Sequence, residues 1–310
     1  MDGATGGLIG VVLGALALAT AIGQLLKRSP DSGLNPAVVQ SFNQRIRGWW
    51  TMCCLLAAAF WFTQSATVVL FGMISFWALR EFITLTPTRL GDHRTLFWVF
   101  FLFTPLQFLL VALDEYGVYS VLIPVYAFLF IPARIAVAGD YKRFLERAAK
   151  IQAGLLICVY CLSYAPAMLY LPIKGYAGNA RLLFFFVVMV QLSDVLCYTW
   201  DRLVGKRLIA PHVSSTRTWE GFAGGAGSIM LVGMALSWAT PFSVFWSAGM
   251  SLLIAVMGSA AGLTMSAIKR DRGVKDYGTL VEGHGGVLDR IDSICFAAPV
   301  FFHATTLITS

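Results

Sequence analysis

One feature constrains this chain more than any other. Long apolar runs, most about the length of one helical bilayer crossing, alternate with short loops that hold nearly all the basic residues. The runs are 7–26, 49–79, 95–112, 118–137, 151–171, 182–200, 221–239, 242–268 and 293–308. The run 49–79 is too long for one ordinary crossing and is broken by Thr63-Gln64-Ser65, so it reads as a tight hairpin of two short helices. That makes ten crossings. Basic residues test the count, because cytoplasmic loops carry the excess of Lys and Arg. With 27–48 in the cytoplasm and sides alternating, 21 of the 23 Lys and Arg fall inside, and only Lys174 and Arg181 fall outside. One crossing over 49–79 would swap the later loops and erase that asymmetry. The expectation is an all-α polytopic membrane protein of about ten transmembrane helices. Both termini would face away from the cytoplasm, and residues 1–310 would form one integral-membrane domain.

Composition agrees. The chain is 58% hydrophobic and 13% charged, with a mean hydropathy of +0.73; soluble domains carry about 25% charged residues. The net charge of +7 is accounted for by topology, so no nucleic-acid partner is expected. All six cysteines lie in apolar runs. Cys158 and Cys161 form a C-x-x-C inside a crossing, with no second ligand pair nearby, which reads as packing. The run 7–26 lacks a preceding basic region and is long enough to span, so it reads as a helix rather than a cleaved signal.

Two of the inside segments carry chemistry. Asp194 lies about one and a half turns within an apolar helix, beside Ser193, ahead of the loop Asp201–Glu220. A carboxylate at that depth is costly and marks a site by default. The bland alternative is a simple pairing with a basic residue near the cytoplasmic face. The second segment, Ser266–Ser293, gathers ten charged residues around Gly283, Gly285, Gly286 and His284. Lys269, Arg270, Arg272 and Lys275 supply positive charge. Glycines let backbone N–H groups approach a bound anion, and a helix beginning near Asp289 favours one. Yet Asp276, Asp289 and Asp292 share the place, and carboxylates repel phosphates unless a cation lies between. Asp289 and Asp292, three apart, fall on one helix face. Hard oxygen ligands beside phosphate chemistry point to Mg²⁺, with room for a second cation. The combination reads as metal-assisted phosphoryl or nucleotidyl transfer at the cytoplasmic membrane surface. A headgroup-facing basic loop would explain the lysines and arginines but not the aspartates. His284 fits three roles: general base, phosphate contact or turn residue.

These residues resemble the signature of the phosphatidate cytidylyltransferases, or CDP-diacylglycerol synthases. Ser266-Ala267-Ile268-Lys269-Arg270 runs to Lys275-Asp276-Tyr277-Gly278, and His284-Gly285-Gly286-Val287-Leu288-Asp289-Arg290-Ile291-Asp292 follows. Upstream, Asp194, Gly205-Lys206, Ala210-Pro211, Ser214 and Thr218-Trp219-Glu220-Gly221-Phe222 are similar to the family's second block, in the same order. The match covers about 194–292, within a catalytic core over 191–293. Residues 1–190 share only a many-helix profile. Three positions depart from the pattern: Glu282 where the family has proline, Ser215 where it has the proline of Ser-Pro, and Arg217 where it has lysine.

The resemblance implies that CTP and phosphatidic acid give CDP-diacylglycerol and pyrophosphate. Both substrates are anionic, one arriving from water and one from the bilayer. Asp276, Asp289, Lys275 and His284 would form the catalytic set. Asp276 and Asp289, with Asp194 or Asp292, would hold Mg²⁺. Lys206, Arg217, Lys269, Arg270, Lys275 and Arg290 would hold phosphate oxygens, and Ser214, Thr218, Gly285 and Gly286 would add hydroxyl and backbone contacts. Similar enzymes imply a homodimer in the cell's inner (plasma) membrane, with the site facing the cytoplasm. Two rival readings are the same chemistry on another lipid phosphate and a membrane transporter. A transporter would spread its ionisable residues along a midplane path, often with repeats; here they crowd one face.

Overall fold

The computed structural model describes residues 3–28, 50, 63–85, 88–274, 277 and 286–309. Among these residues the chain is helical, and its β-type pairing is one antiparallel bridge, Leu208 to Thr218. The helices are α1 (Gly3–Arg28), α2 (Gln64–Leu85), α3 (Leu90–Ala112), α4 (Tyr116–Val137), α5 (Phe144–Tyr170), α6 (Asn179–Leu203), α7 (Trp219–Ala235), α8 (Val244–Asp271) and α9 (Leu288–Thr309). Seven of them, α2–α6, α8 and α9, are long and apolar enough to cross a membrane. This is the architecture of a multi-pass membrane protein. The 17 residues of α7 fall at the short end of what a crossing needs.

The predicted hairpin break falls where α2 begins. Thr63 Oγ1 accepts a hydrogen bond from the Ala66 N–H at 3.1 Å, the geometry of an N-cap. The hairpin's first arm, apart from Trp50, lies outside the described residues. The contacts divide the chain into two compact units, Met1–Thr67 and Val68–Ser310. All the described candidate site residues belong to the second.

In that second unit α6 packs on α7 and α8, and α8 packs on α7 and α9. Glycines of α7 set the closeness of its contact with α6: a side chain at Gly221 or Gly225 would collide with Asp201 or Cys197. Small residues let helix backbones meet this way where burial from water supplies no driving force. Phe184, Phe185 and Phe186 of α6 are buried, and Phe186 meets Phe301 of α9 with ring centroids 4.9 Å apart. Large apolar side chains such as Phe101, Leu129 and Phe245 stand exposed on the outer helix faces, where lipid is the expected solvent. Pro105 and Pro124, which cannot donate to the helix ladder, lie just after and within π-helical stretches of α3 and α4. The end of α8 carries Lys269 and Arg270 in its last turn, which suits the negative end of the helix. Gly273, at φ +67°, then turns the chain out of the helix.

Candidate active site

The loop between α6 and α7 is held by carboxylates. Asp201, near the end of α6, accepts from the Thr218 N–H at 2.8 Å and from the Thr218 hydroxyl at 2.7 Å. The same hydroxyl accepts from the Gly221 N–H at 3.0 Å and so caps α7. Glu220 accepts from the backbone N–H groups of Lys206 and Arg207 at 3.1 and 3.0 Å. These bonds fold Lys206–Glu220 back on itself and aim Arg217 at α6. Its guanidinium lies 3.5 Å from the Asp194 carboxylate and 4.0 Å from that of Asp201. A small cleft lined by Asp201, Arg217, Thr218, Phe222 and Ser259 opens beside it.

The other half of the site joins α8 to α9. The Lys269 ammonium lies 3.0 Å from Asp289 Oδ1. The second oxygen, Oδ2, accepts from the backbone N–H groups of Tyr277 and Gly286, each at 2.9 Å. Tyr277 is buried, donates its hydroxyl to the Met265 carbonyl at 3.1 Å and stacks on Phe82 of α2. Burial, with Asp289 and Asp292 nearby, pushes its hydroxyl well above the ordinary tyrosine range, so it stays a donor. Lys269 also sits 5.3 Å over that ring.

The two halves meet at Asp292, which lies within electrostatic reach of Asp194, Lys269 and Asp289. Gly258 and Gly262, one turn apart on α8, face this meeting point. A Cβ on Gly258 would lie 3.8 Å from Asp194 and 3.7 Å from Ser293, and one on Gly262 3.2 Å from Arg217. Arg270 reaches back to the Val213 carbonyl at 3.4 Å, tying the end of α8 to the α6–α7 loop. The structure therefore brings Asp194, Arg217, Lys269, Asp289 and Asp292 to one end of α6, α8 and α9.

Some of the groups expected to meet substrate are engaged within the protein. At the start of α9 the Gly286 N–H is given to Asp289 and the next two N–H groups go to Glu81. The Thr218 hydroxyl is engaged as both donor and acceptor within the protein. Ser214 is buried beside Thr216, and Lys206 is exposed. Lys275, Asp276, His284 and Gly285 lie outside the described residues. No three His, Cys, Asp or Glu side chains among the described residues gather as a metal group; Asp289 turns to Lys269 instead of joining Asp194 and Asp292.

Sequence reasoning passed over Asp201, Tyr277 and Glu81. Glu81 carried the same signal as Asp194, a carboxylate inside an apolar helix. Asp201 and Tyr277 carried none, since their partners lie 17 and 12 residues away along the chain.

The profile of the cytidylyltransferase family matches residues 43–308. The uncharacterized protein YnbB of Escherichia coli (strain K12) is 36% identical over 260 residues, 84% of this chain and 85% of its own. A phosphatidate cytidylyltransferase of Mycobacterium leprae (strain TN) is 34% identical over 181 residues, 57% of this chain and 55% of its own. One from Staphylococcus aureus (strain COL) is 36% identical over 125 residues, 40% of this chain and 48% of its own. The chain thus spans about half the length of these two enzymes.

Proposed function

The chain belongs to the cytidylyltransferase family, and from that premise we propose that it transfers the cytidylyl group of CTP to phosphatidic acid, giving CDP-diacylglycerol and pyrophosphate. A phosphate oxygen of the lipid bonds to the α-phosphorus of CTP. The bond from that phosphorus to the oxygen bridging to the β-phosphate breaks, and pyrophosphate leaves. The observation that carries the reading is the meeting of Arg217 and Lys269 with Asp194, Asp289 and Asp292 at one end of the bundle. Two phosphorylated substrates need cations to hold them. Arg217 offers a fork for phosphate oxygens and Lys269 a compact charge. Both are about one-fifth exposed, open enough to exchange a carboxylate for a phosphate.

The donor chemistry fits Mg²⁺. Asp194 and Asp292 come from adjacent helices and repel each other, and Gly258 of α8 leaves room beside Asp194. They would hold the cation together with substrate oxygens, with Asp289 or Asp276 completing the set. When bound, the ion would offset the charge of the phosphates. The loop and helix ends that carry the site are the basic, inside-facing ones of the topological reading, which favours a cytoplasmic face in the inner membrane. Homodimer formation is proposed on the resemblance alone.

The test is transfer of label from CTP into a lipid-soluble product by purified protein, with Mg²⁺ present or chelated. Phosphatidic acid is run beside a polyprenyl phosphate, because one relative covering most of this chain is a protein whose acceptor is not named. Product with phosphatidic acid alone is the expected result. Product with the polyprenyl phosphate alone would overturn the acceptor, and product with neither would overturn the reaction.

A further inference from the structure

We infer that Glu81, on α2, is a positioning residue for the site: it fixes the start of α9 and through it the placement of Asp289 and Asp292. This rests on the function proposed above for its activity readout, though the geometry stands without it. Glu81 is only 5% exposed. Its Oε1 accepts from the Val287 N–H and its Oε2 from the Leu288 N–H, both at 2.9 Å. Leu288 is the first residue of α9, so a carboxylate 207 positions earlier in the chain caps that helix. A helix start leaves its first N–H groups without intrahelical partners and carries partial positive charge, which is what a buried carboxylate needs.

The bond pattern is complete enough to set a register. Gly286 gives its N–H to Asp289, Val287 and Leu288 give theirs to Glu81, and Arg290 gives its own to the Val287 carbonyl. Four N–H groups around the first turn are thereby fixed, two of them on Glu81 of α2. The neighbouring residue on α2 supports the site through Tyr277. Phe82 stacks on Tyr277 at 6.4 Å and 16°, and Tyr277 donates its N–H to Asp289. Adjacent side chains of one helix thus support Asp289 from both sides. Glu81 has no place in the chemistry itself, because both its oxygens are committed to backbone.

Substitution by glutamine tests this without changing volume. Glu81→Gln replaces one acceptor oxygen by an NH₂ group that faces a backbone N–H, and it removes the charge that suits the helix start. Ser75→Ala is the control: Ser75 lies on the same helix and bonds the Cys158 carbonyl of α5, not the start of α9. Hydrogen exchange of the segment 286–292 is measured in wild type and both variants, with thermal unfolding in detergent alongside. Faster exchange of 286–292 in Glu81→Gln, but not in Ser75→Ala, is the expected result. In the transfer assay Glu81→Gln should lose kcat by about 10–100-fold, the range for residues that orient ligating groups, with KM for CTP within about threefold. Unchanged exchange in a folded Glu81→Gln variant overturns the proposal, as does a kcat loss matched by Ser75→Ala at equal loss of stability. If Glu81→Gln does not fold, Glu81→Asp is measured in its place; it keeps the charge but withdraws the oxygens by one methylene, and wild-type exchange there overturns the proposal. A wild type with no transfer activity would sink the proposed reaction while leaving the exchange comparison to decide on Glu81.

Discussion

Two clusters of opposite charges sit at helix ends in this protein, and they are built differently. The first joins α3, the α4–α5 loop and α5. Arg147 donates through Nε to both oxygens of Asp92 at 3.0 Å, and through Nη1 to the carbonyls of Asp140 and Lys142 at 2.8 and 2.9 Å. Asp140 also pairs with Arg89 at 2.9 Å, and the Arg89 N–H is bonded to Asp92. Arg147 and Asp92 side chains are 4% and 1% exposed. The second cluster is the site. Arg217 stands 3.5 Å from Asp194, with side chains 22% and 29% exposed, and Lys269 meets Asp289 through a single contact. A saturated, closed network has no capacity left for a ligand. A looser one, open to water, can give up its internal partners. The same residue types therefore serve structure in one place and exchange in the other, and saturation and exposure tell them apart.

The largest effect expected tests the closed cluster. Arg147→Met leaves Asp92 buried and charged without its partner, a change that costs about 3–5 kcal/mol. Thermal unfolding in detergent should move down sharply, and protein that still folds should keep its KM for CTP. Adding Asp92→Leu should recover most of the loss. A normal unfolding temperature for Arg147→Met would mean that the network is not a structural clamp, and the contrast with the site would fail.

Next comes Asp289→Asn. Its amide oxygen, in the place of Oδ2, can still accept from both backbone N–H groups, so the fold should hold, but the variant loses the anion that pairs with Lys269. A drop in kcat of about 10²–10³-fold is expected, the scale of removing one preorganised electrostatic contact. Full turnover by this variant would exclude Asp289 from the chemistry. Arg217→Lys is smaller. It keeps the charge and loses the fork, so KM for CTP should rise about 10–100-fold, the worth of one or two charge-assisted hydrogen bonds. Unfolding should barely shift, because the charge is kept and solvent-accessible pairs add about 0–1 kcal/mol. A large stability loss instead would move Arg217 into the structural class with Arg147.

Much of this contrast was legible in the sequence, though unevenly. Apolar runs and basic loops located the long helices, because lipid forces backbone groups to bond within a segment and makes the pattern strict. The break at Thr63 was readable for the same reason, and the two charged segments stood out against an apolar background. What could not be read was which charges meet. Lys269 and Asp289 lie 20 residues apart, and Glu81 and Leu288 lie 207 apart. Such pairs depend on helix packing that local spacing does not encode. Of the glycines expected to cradle an anion, Gly286 gives its N–H to Asp289, and a carboxylate from α2, invisible to local reasoning, takes the next two; Gly283 and Gly285 lie outside the described residues.

Thr218 tests the boundary between the two kinds of cluster at its finest. The sequence suggested a hydroxyl that touches substrate. In the structure that hydroxyl donates to Asp201 and accepts from the Gly221 N–H, and the residue is 5% exposed. A hydroxyl has one donor to give, and here it is spent inside the protein. Thr218→Ala should therefore behave as the loss of a helix cap, costing about 1 kcal/mol of stability, and Thr218→Ser should restore it. KM for CTP should follow only as far as the loop carrying Arg217 loosens, about threefold or less by the 1.4 kcal/mol-per-decade scale. The opposite pattern, an unchanged unfolding temperature with a tenfold higher KM that serine rescues, would return the hydroxyl to the substrate. It would also show that a saturated side chain can still be recruited, and saturation would then no longer separate structural residues from exchangeable ones.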